Sequence, residues 1–239
     1  MSTYLLVNLL SVSIPLLFSF HPRLRFDRTW YAFWPAVLIT AAVFIAWDVV
    51  FTDWGVWGFN PDHLVGSSLL GLPIEEWLFF ICIPYASVFT YASLKVLVKS
   101  DPLGPYARGI SWVLAGILIV IASLTTDRLY TSVTFFATAA FLIFHLLFID
   151  AKYRGRFYLA YLVIHLFPFL IVNGLLTGSF VAEPVVWYDN AENLSIRVFT
   201  IPVEDFIYGF LLYLMNVTLY EWIIARRAKR ATPVSDQAQ

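Results

Sequence analysis

Residues 73–98 read PIEEWLFFICIPYASVFTYASLKVLV: a proline, two adjacent acids, then apolar and aromatic residues with no further charge until Lys95. At about 1.5 Å per residue, such a run crosses the roughly 30 Å hydrocarbon core of a bilayer as a helix. It lacks the two-residue alternation of a barrel strand and is apolar on every side, unlike a soluble surface helix. Runs of the same kind occur at 4–20, 31–51, 110–124, 131–149, 157–176 and 199–224. The whole chain agrees with them. Its 239 residues are 60% hydrophobic and 13% charged, against about 45–50% and about 25% in a soluble domain. The fold class read from this pattern is an all-α integral membrane protein with seven transmembrane helices. The first run has no basic region before it and no small-x-small cleavage site after it, so it is expected as a retained span rather than a secretory signal.

Several classes fall away. The aromatic content excludes disorder, and Cys82 is the only cysteine, which excludes a disulfide scaffold. A net charge of −1 gives no electrostatic case for nucleic acid. His145 and His165 do not share a helix at a spacing of three or four, so no metal motif is expected. No glycine-rich phosphate or dinucleotide motif occurs, nor an aspartate-rich diphosphate motif, and the seventh run has no lysine for a retinal Schiff base. Thirteen of the 15 basic residues fall in four alternate connecting segments, around residues 23–28, 95–108, 152–156 and 226–230. The positive-inside rule then predicts a multi-pass cell-membrane protein with its N-terminus outside and its C-terminus cytoplasmic.

The opening motif occurs twice. Pro73-Ile74-Glu75-Glu76 is echoed by Pro202-Val203-Glu204-Asp205, 129 residues later, and the same offset carries runs one to three onto runs five to seven. The expected organisation is a three-helix repeat (1–98), a linking helix with its loops (99–130), a second three-helix repeat (131–228) and a disordered tail (229–239). An offset of four spans is even, so the two repeats are parallel and both acidic motifs lie on one, extracytoplasmic, side.

A proline followed by acids is also an ordinary helix start, because proline suits the first position and acids complement the dipole. Two features argue for chemistry as well. Adjacent acids repel, which capping does not require, and the preceding loops are aromatic (Trp54, Trp57, Phe59; Trp187, Tyr188), so the acids are covered. Covered carboxyls with like neighbours separate into an acid and a base. Glu75, Glu76, Glu204 and Asp205 are therefore the candidate catalytic groups. Asp48 with Trp47, and the rings of Trp77, Phe79, Phe80, Phe206 and Tyr208, are candidates to line a substrate site where aromatic faces stabilise a cation. Asn8, His145, His165, Asn173 and Asn216 read as interhelical hydrogen-bonding groups, and Glu221 as a local ion pair with the basic cluster after it.

Together these residues resemble the membrane-integral carotenoid cyclases of the heterodimeric lycopene cyclase type, which occur as two small subunits or as one fused chain. The resemblance rests on Pro73-Ile74-Glu75-Glu76-Trp77-Leu78-Phe79-Phe80, on Pro202-Val203-Glu204-Asp205 and on Trp47-Asp48 followed by Gly55-Val56-Trp57-Gly58-Phe59. It implies a lycopene β-cyclase, an isomerase. A carboxylic acid protonates the terminal double bond of the acyclic end, the next double bond attacks the resulting cation, and a carboxylate removes a ring proton. No cofactor and no net redox change are implied. The implied partners are a lipophilic carotenoid taken from the bilayer, membrane lipid and other enzymes of the carotenoid pathway. The competing reading from topology alone is a small proton-coupled transporter of the three-one-three class.

Overall fold

The computed structural model describes residues 2–149 and 151–231 and is mostly helical. Helix α1 (Thr3–Phe18) is followed by α2 (Trp30–Asp53), the short strands β1 (Trp57–Phe59), β2 (Ser68–Leu69) and β3 (Leu72–Pro73), and α3 (Ile74–Leu97). Then come α4 (Ala107–Leu124), α5 (Leu129–Phe148), α6 (Arg154–Leu166) and α7 (Pro168–Leu176), strands β4 (Val186–Tyr188), β5 (Arg197–Val198) and β6 (Ile201–Pro202), and α8 (Val203–Ala231). Large apolar side chains point outward along these helices: Leu10 is 61% exposed, Ile14 65%, Leu124 78% and Phe148 73%. In water that surface would be a severe aggregation liability; against lipid it costs nothing. This is a membrane protein.

Among the described residues, five helices are long and apolar enough to cross a bilayer: α2, α3, α4, α5 and α8. Where the sequence pattern predicts a single span over 157–176, the structure has α6 and α7, bent by 48° at Phe167. Pro168 lacks the N–H that would bond the preceding turn, and its ring crowds the carbonyl four residues back. Pro15, Pro35 and Pro84 lie inside α1, α2 and α3 without interrupting them. Helix α1 has 16 residues, fewer than the roughly 20 a perpendicular span requires. At the C-terminus α8 runs on to Ala231, so the first residues of the expected tail are helical; residues 232–239 lie outside the described part.

The helices pair as α1 with α3, α2 with α8, and α4 with α5. Aromatic rings fill the core between them, with Phe26, Phe33, Phe157 and Phe210 all buried. Glu221 pairs with Lys95 of α3 across the bundle, not with the basic cluster on its own helix.

The two acidic motifs are built alike. Each α-helix start is preceded by a two-stranded hairpin, β2–β3 before α3 and β5–β6 before α8. The tip of each carries a non-glycine residue with positive φ, Leu70 (53°) and Phe199 (58°), 129 positions apart. The N–H of Ile74 bonds Ser67 O, and that of Val203 bonds Ile196 O, at the same offset. A third pairing joins the two long loops: β1 runs antiparallel to β4, with Trp57 opposite Tyr188 and Phe59 opposite Val186. Between them Gly58 faces Trp187, whose ring approaches so closely that a Cβ on residue 58 would lie 2.3 Å from Cζ2.

Candidate active site

The β1–β4 ribbon roofs a cavity of about 560 Å³ that both acidic motifs reach. Its upper end is lined by Asp48, Trp57, Glu76, Tyr130, Asp205 and Tyr208, and its lower part by apolar residues of α1, α3, α7 and α8. Leu10, Ile14 and Ile171, which also line it, are more than half exposed on the lipid-facing side, so the cavity opens between α1 and α7.

The four acids of the motifs divide into two kinds. Glu75 and Glu204 are fully buried but do not line the cavity. Glu75 Oε1 accepts from Ser2 Oγ at 2.7 Å and Val65 N at 2.6 Å. Glu204 Oε1 accepts from Thr131 Oγ1 at 2.6 Å and Leu194 N at 2.8 Å. Ser2 and Thr131, and likewise Val65 and Leu194, are 129 positions apart. Each first acid thus clamps the start of one helix (α1 or α5) and the strand-bearing loop onto its own helix. Asn8 adds to the first clamp, donating to Glu75 O at 2.7 Å.

Glu76 and Asp205, the second acids, face the cavity, and their surroundings differ. Glu76 accepts from the Tyr4 hydroxyl, and its carboxyl lies beside that of Asp48 in the wall of the same cavity. Asp48 in turn accepts from Trp57 Nε1 at 2.6 Å and from Thr52 Oγ1 at 3.2 Å. Two buried carboxyls side by side are costly to ionise together, which favours one proton shared between them. Asp205 has no carboxyl neighbour of that kind in the cavity. It accepts three hydrogen bonds, from Tyr130 OH at 2.6 Å, Tyr188 OH at 3.0 Å and Asn173 Nδ2 at 2.7 Å. Tyr188 lies in β4; burial first, and then the Asp205 carboxylate, push its hydroxyl well above the usual phenol value, so it stays a donor.

Helical geometry decides which of the neighbouring rings reach this site. Phe79 and Tyr208 follow Glu76 and Asp205 by three residues, nearly one turn, and both line the cavity. Trp77 and Phe206 follow by one residue, about 100° around the axis, and do not. Trp77 donates to Leu69 O at 3.2 Å on the outside, and Phe206 packs on Phe169 at 4.8 Å. Trp47 also lies off the cavity and backs Tyr208 at 5.3 Å, while Phe80 is in the core against Phe44. In place of these four expected lining rings the site uses Trp57, Tyr130 and Tyr188. Trp57 and Tyr130 are 5.1 Å apart, and Tyr130 and Tyr188 stack at 5.7 Å. No group of three or more metal-ligating side chains occurs among the described residues.

The lycopene cyclase family model matches residues 1–94 and again 127–223. The chain belongs to the lycopene cyclase family. Similar curated proteins are fungal and carry the name bifunctional lycopene cyclase/phytoene synthase. That of Aspergillus niger is 32% identical over 90 residues, covering 36% of this chain and 16% of the relative. That of Neurospora crassa is 38% identical over 55 residues, 23% of this chain and 9% of the relative. The chain thus aligns with only a small part of the length of these relatives. No solved structure matches it at a significant level. Membership of the lycopene cyclase family does not favour the transporter reading. Of the residues around its acids, sequence reasoning missed Tyr4 and Tyr130, each near the start of a helix, and assigned Asn173 only to helix contacts.

Proposed function

We propose that this chain is a membrane-embedded lycopene β-cyclase, an isomerase that closes the acyclic ends of lycopene into β-ionone rings. The observation that carries this reading is the unequal setting of two carboxyl sites across one aromatic, lipid-facing cavity. The Asp48–Glu76 pair, whose buried and neighbouring carboxyls favour a shared proton, is the acid; Asp205, which accepts three hydrogen bonds, is the base. The acid protonates the terminal double bond of the polyene. The next double bond attacks the tertiary cation and closes the six-membered ring. Asp205 then takes the proton from the ring carbon that joins the conjugated chain. Positive charge develops between Trp57, Tyr130 and Tyr208, whose faces attract it, and the cavity keeps water from trapping the cation. No electron moves, and no cofactor is required. Glu75 and Glu204 serve the fold in this reading.

The same reading takes the opening between α1 and α7 as the route by which carotenoid arrives from the bilayer. It takes the chain as seven spans in two parallel repeats, with α1 and the bent α6–α7 pair counted as spans, and with the acids at the extracytoplasmic end. Support for the repeat comes from the 129-residue correspondence of hairpins and carboxyl clamps. The test is expression in a lycopene-accumulating bacterium followed by pigment extraction. Formation of β-carotene, or of one-ring γ-carotene, is expected; unchanged lycopene in cells that hold the protein in their membranes would refute the proposal.

A further inference from the structure

The proposed reaction leaves its two carboxyl sites out of balance. After one ring closes, the Asp48–Glu76 pair has lost a proton and Asp205 has gained one, and both sites are shut off from water. Asp48, Glu76 and Asp205 are 2%, 7% and 4% exposed. The β1–β4 ribbon covers them from above, and the cavity below opens toward lipid. Resetting the site therefore needs an internal route for one proton.

Tyr208 is built for that route. Its ring lies 6.0 Å from Trp57, which bonds Asp48, and 6.3 Å from Tyr130, which bonds Asp205. It lines the cavity beside both of those rings, and no hydrogen bond ties up its hydroxyl among the described residues. By contrast, Tyr4, Tyr130 and Tyr188 each spend their hydroxyl on a single carboxylate. The Asp205 carboxylate has about four acceptor directions, and three are used, leaving one free on Oδ1.

We propose that Tyr208 returns the proton from Asp205 to the Asp48–Glu76 pair between turnovers, so that the enzyme recycles one proton within the cavity. The step balances without electron transfer: the phenol gives its proton to the ionised pair, and its oxygen receives the proton held by Asp205. This inference rests on the cyclase reading above.

The test uses the full chain in lipid vesicles loaded with lycopene. In Tyr208→Phe the ring face is kept and the hydroxyl removed. The steady-state rate is expected to fall at least about tenfold further than the first turnover does, and a permeant weak acid such as acetic acid should restore part of that difference. Equal slowing of both rates without restoration, or no slowing at all, would overturn the relay. A second measurement needs no variant. Lycopene deuterated at the ring carbon that loses its proton should yield wild-type product in which some label reappears at the protonated carbon of later rings. Complete loss of label to water would overturn the relay while leaving the cyclase reading standing; failure of the wild-type chain to form any ring would overturn both.

Discussion

Glu75 and Glu76 are adjacent and chemically identical, yet their surroundings differ and the proposed reaction gives them different roles, and replacing each by glutamine separates the two. In Glu75→Gln the amide oxygen can still accept from Ser2 Oγ and Val65 N, and the amide nitrogen takes the place of Oε2, which has no partner in the native side chain. The loss is the extra strength of two bonds to a charged acceptor, about 1 kcal/mol each. In Glu75→Ala both donors are stranded in a buried site, at about 1–3 kcal/mol apiece, so about 2–6 kcal/mol in all. Glu76→Gln is different. Its amide still accepts from Tyr4 and stands beside Asp48 without a second negative charge, so the fold survives, but in the proposed reaction residue 76 then has no proton to give to the polyene. Loss of a general acid costs about 10²–10⁴ in rate, or about 3–5 kcal/mol of barrier. Ring formation in lycopene-accumulating cells, measured by chromatography and normalised to the amount of protein in the membrane, is the assay. Expected are near-normal rings with Glu75→Gln, about 1% or less with Glu76→Gln, and depleted protein with Glu75→Ala. A Glu75→Gln protein that is present at normal level, melts normally and makes no ring would refute the division between clamp and acid.

Three further outcomes follow from the same contacts. Asn173→Leu removes one of the three donors on Asp205, a bond to a charged group worth about 1.5–3 kcal/mol, and should slow ring formation at least about tenfold with little change in substrate affinity; an unchanged rate would refute the positioning role. Tyr188 has a raised folded-state pKa, so its contribution to stability is complete below the ordinary phenol value near pH 10 and is lost as pH rises above it; the stability gap between wild type and Tyr188→Phe, followed by thermal melting, should shrink in the wild type's disfavour only above about pH 10. Asp62→Cys in a Cys82→Ala background should react with an impermeant thiol reagent from the extracytoplasmic side alone, and labelling only from the cytoplasm would invert the proposed orientation.

What the sequence reveals of this molecule is what local pattern can encode. Apolar runs mark α2, α3, α5 and α8 closely, because the bilayer imposes length and composition on each helix separately. The bend before Pro168 is not legible in the same way: Pro15, Pro35, Pro84 and Pro168 all lie in the interior of apolar runs, and only at Phe167 do the backbone angles leave the helix, a choice made by packing. Within the site, the three-residue step from Glu76 to Phe79 and from Asp205 to Tyr208 is present in the sequence and would have excluded Trp77 and Phe206. The partners of Asp205 are not encoded locally. Tyr130, Asn173 and Tyr188 lie 75, 32 and 17 residues from it and come from three other elements, so only tertiary structure brings them together.

The correspondence at an offset of 129 explains why the structural and chemical roles part within one motif. The carboxyl clamp is kept at that offset, Ser2 with Thr131, Val65 with Leu194, Glu75 with Glu204 and the hairpin tips, although Asn8 is matched by Ala137. The partners of the second acids are not kept. The position matching Asp48 is Thr177, whose hydroxyl bonds Asn173 O at 2.8 Å and Thr200 at 2.7 Å, so the second half has no carboxyl to share a proton with Asp205. The position matching Tyr4 is Val133, and Asp205 takes its phenol from Tyr130 instead. Two identical halves would give both carboxyls the same surroundings, so either could carry the proton that they share. The proposed reaction gives each carboxyl site one role, and the difference between the halves at the partners of the second acid is what assigns the proton to the Asp48–Glu76 side.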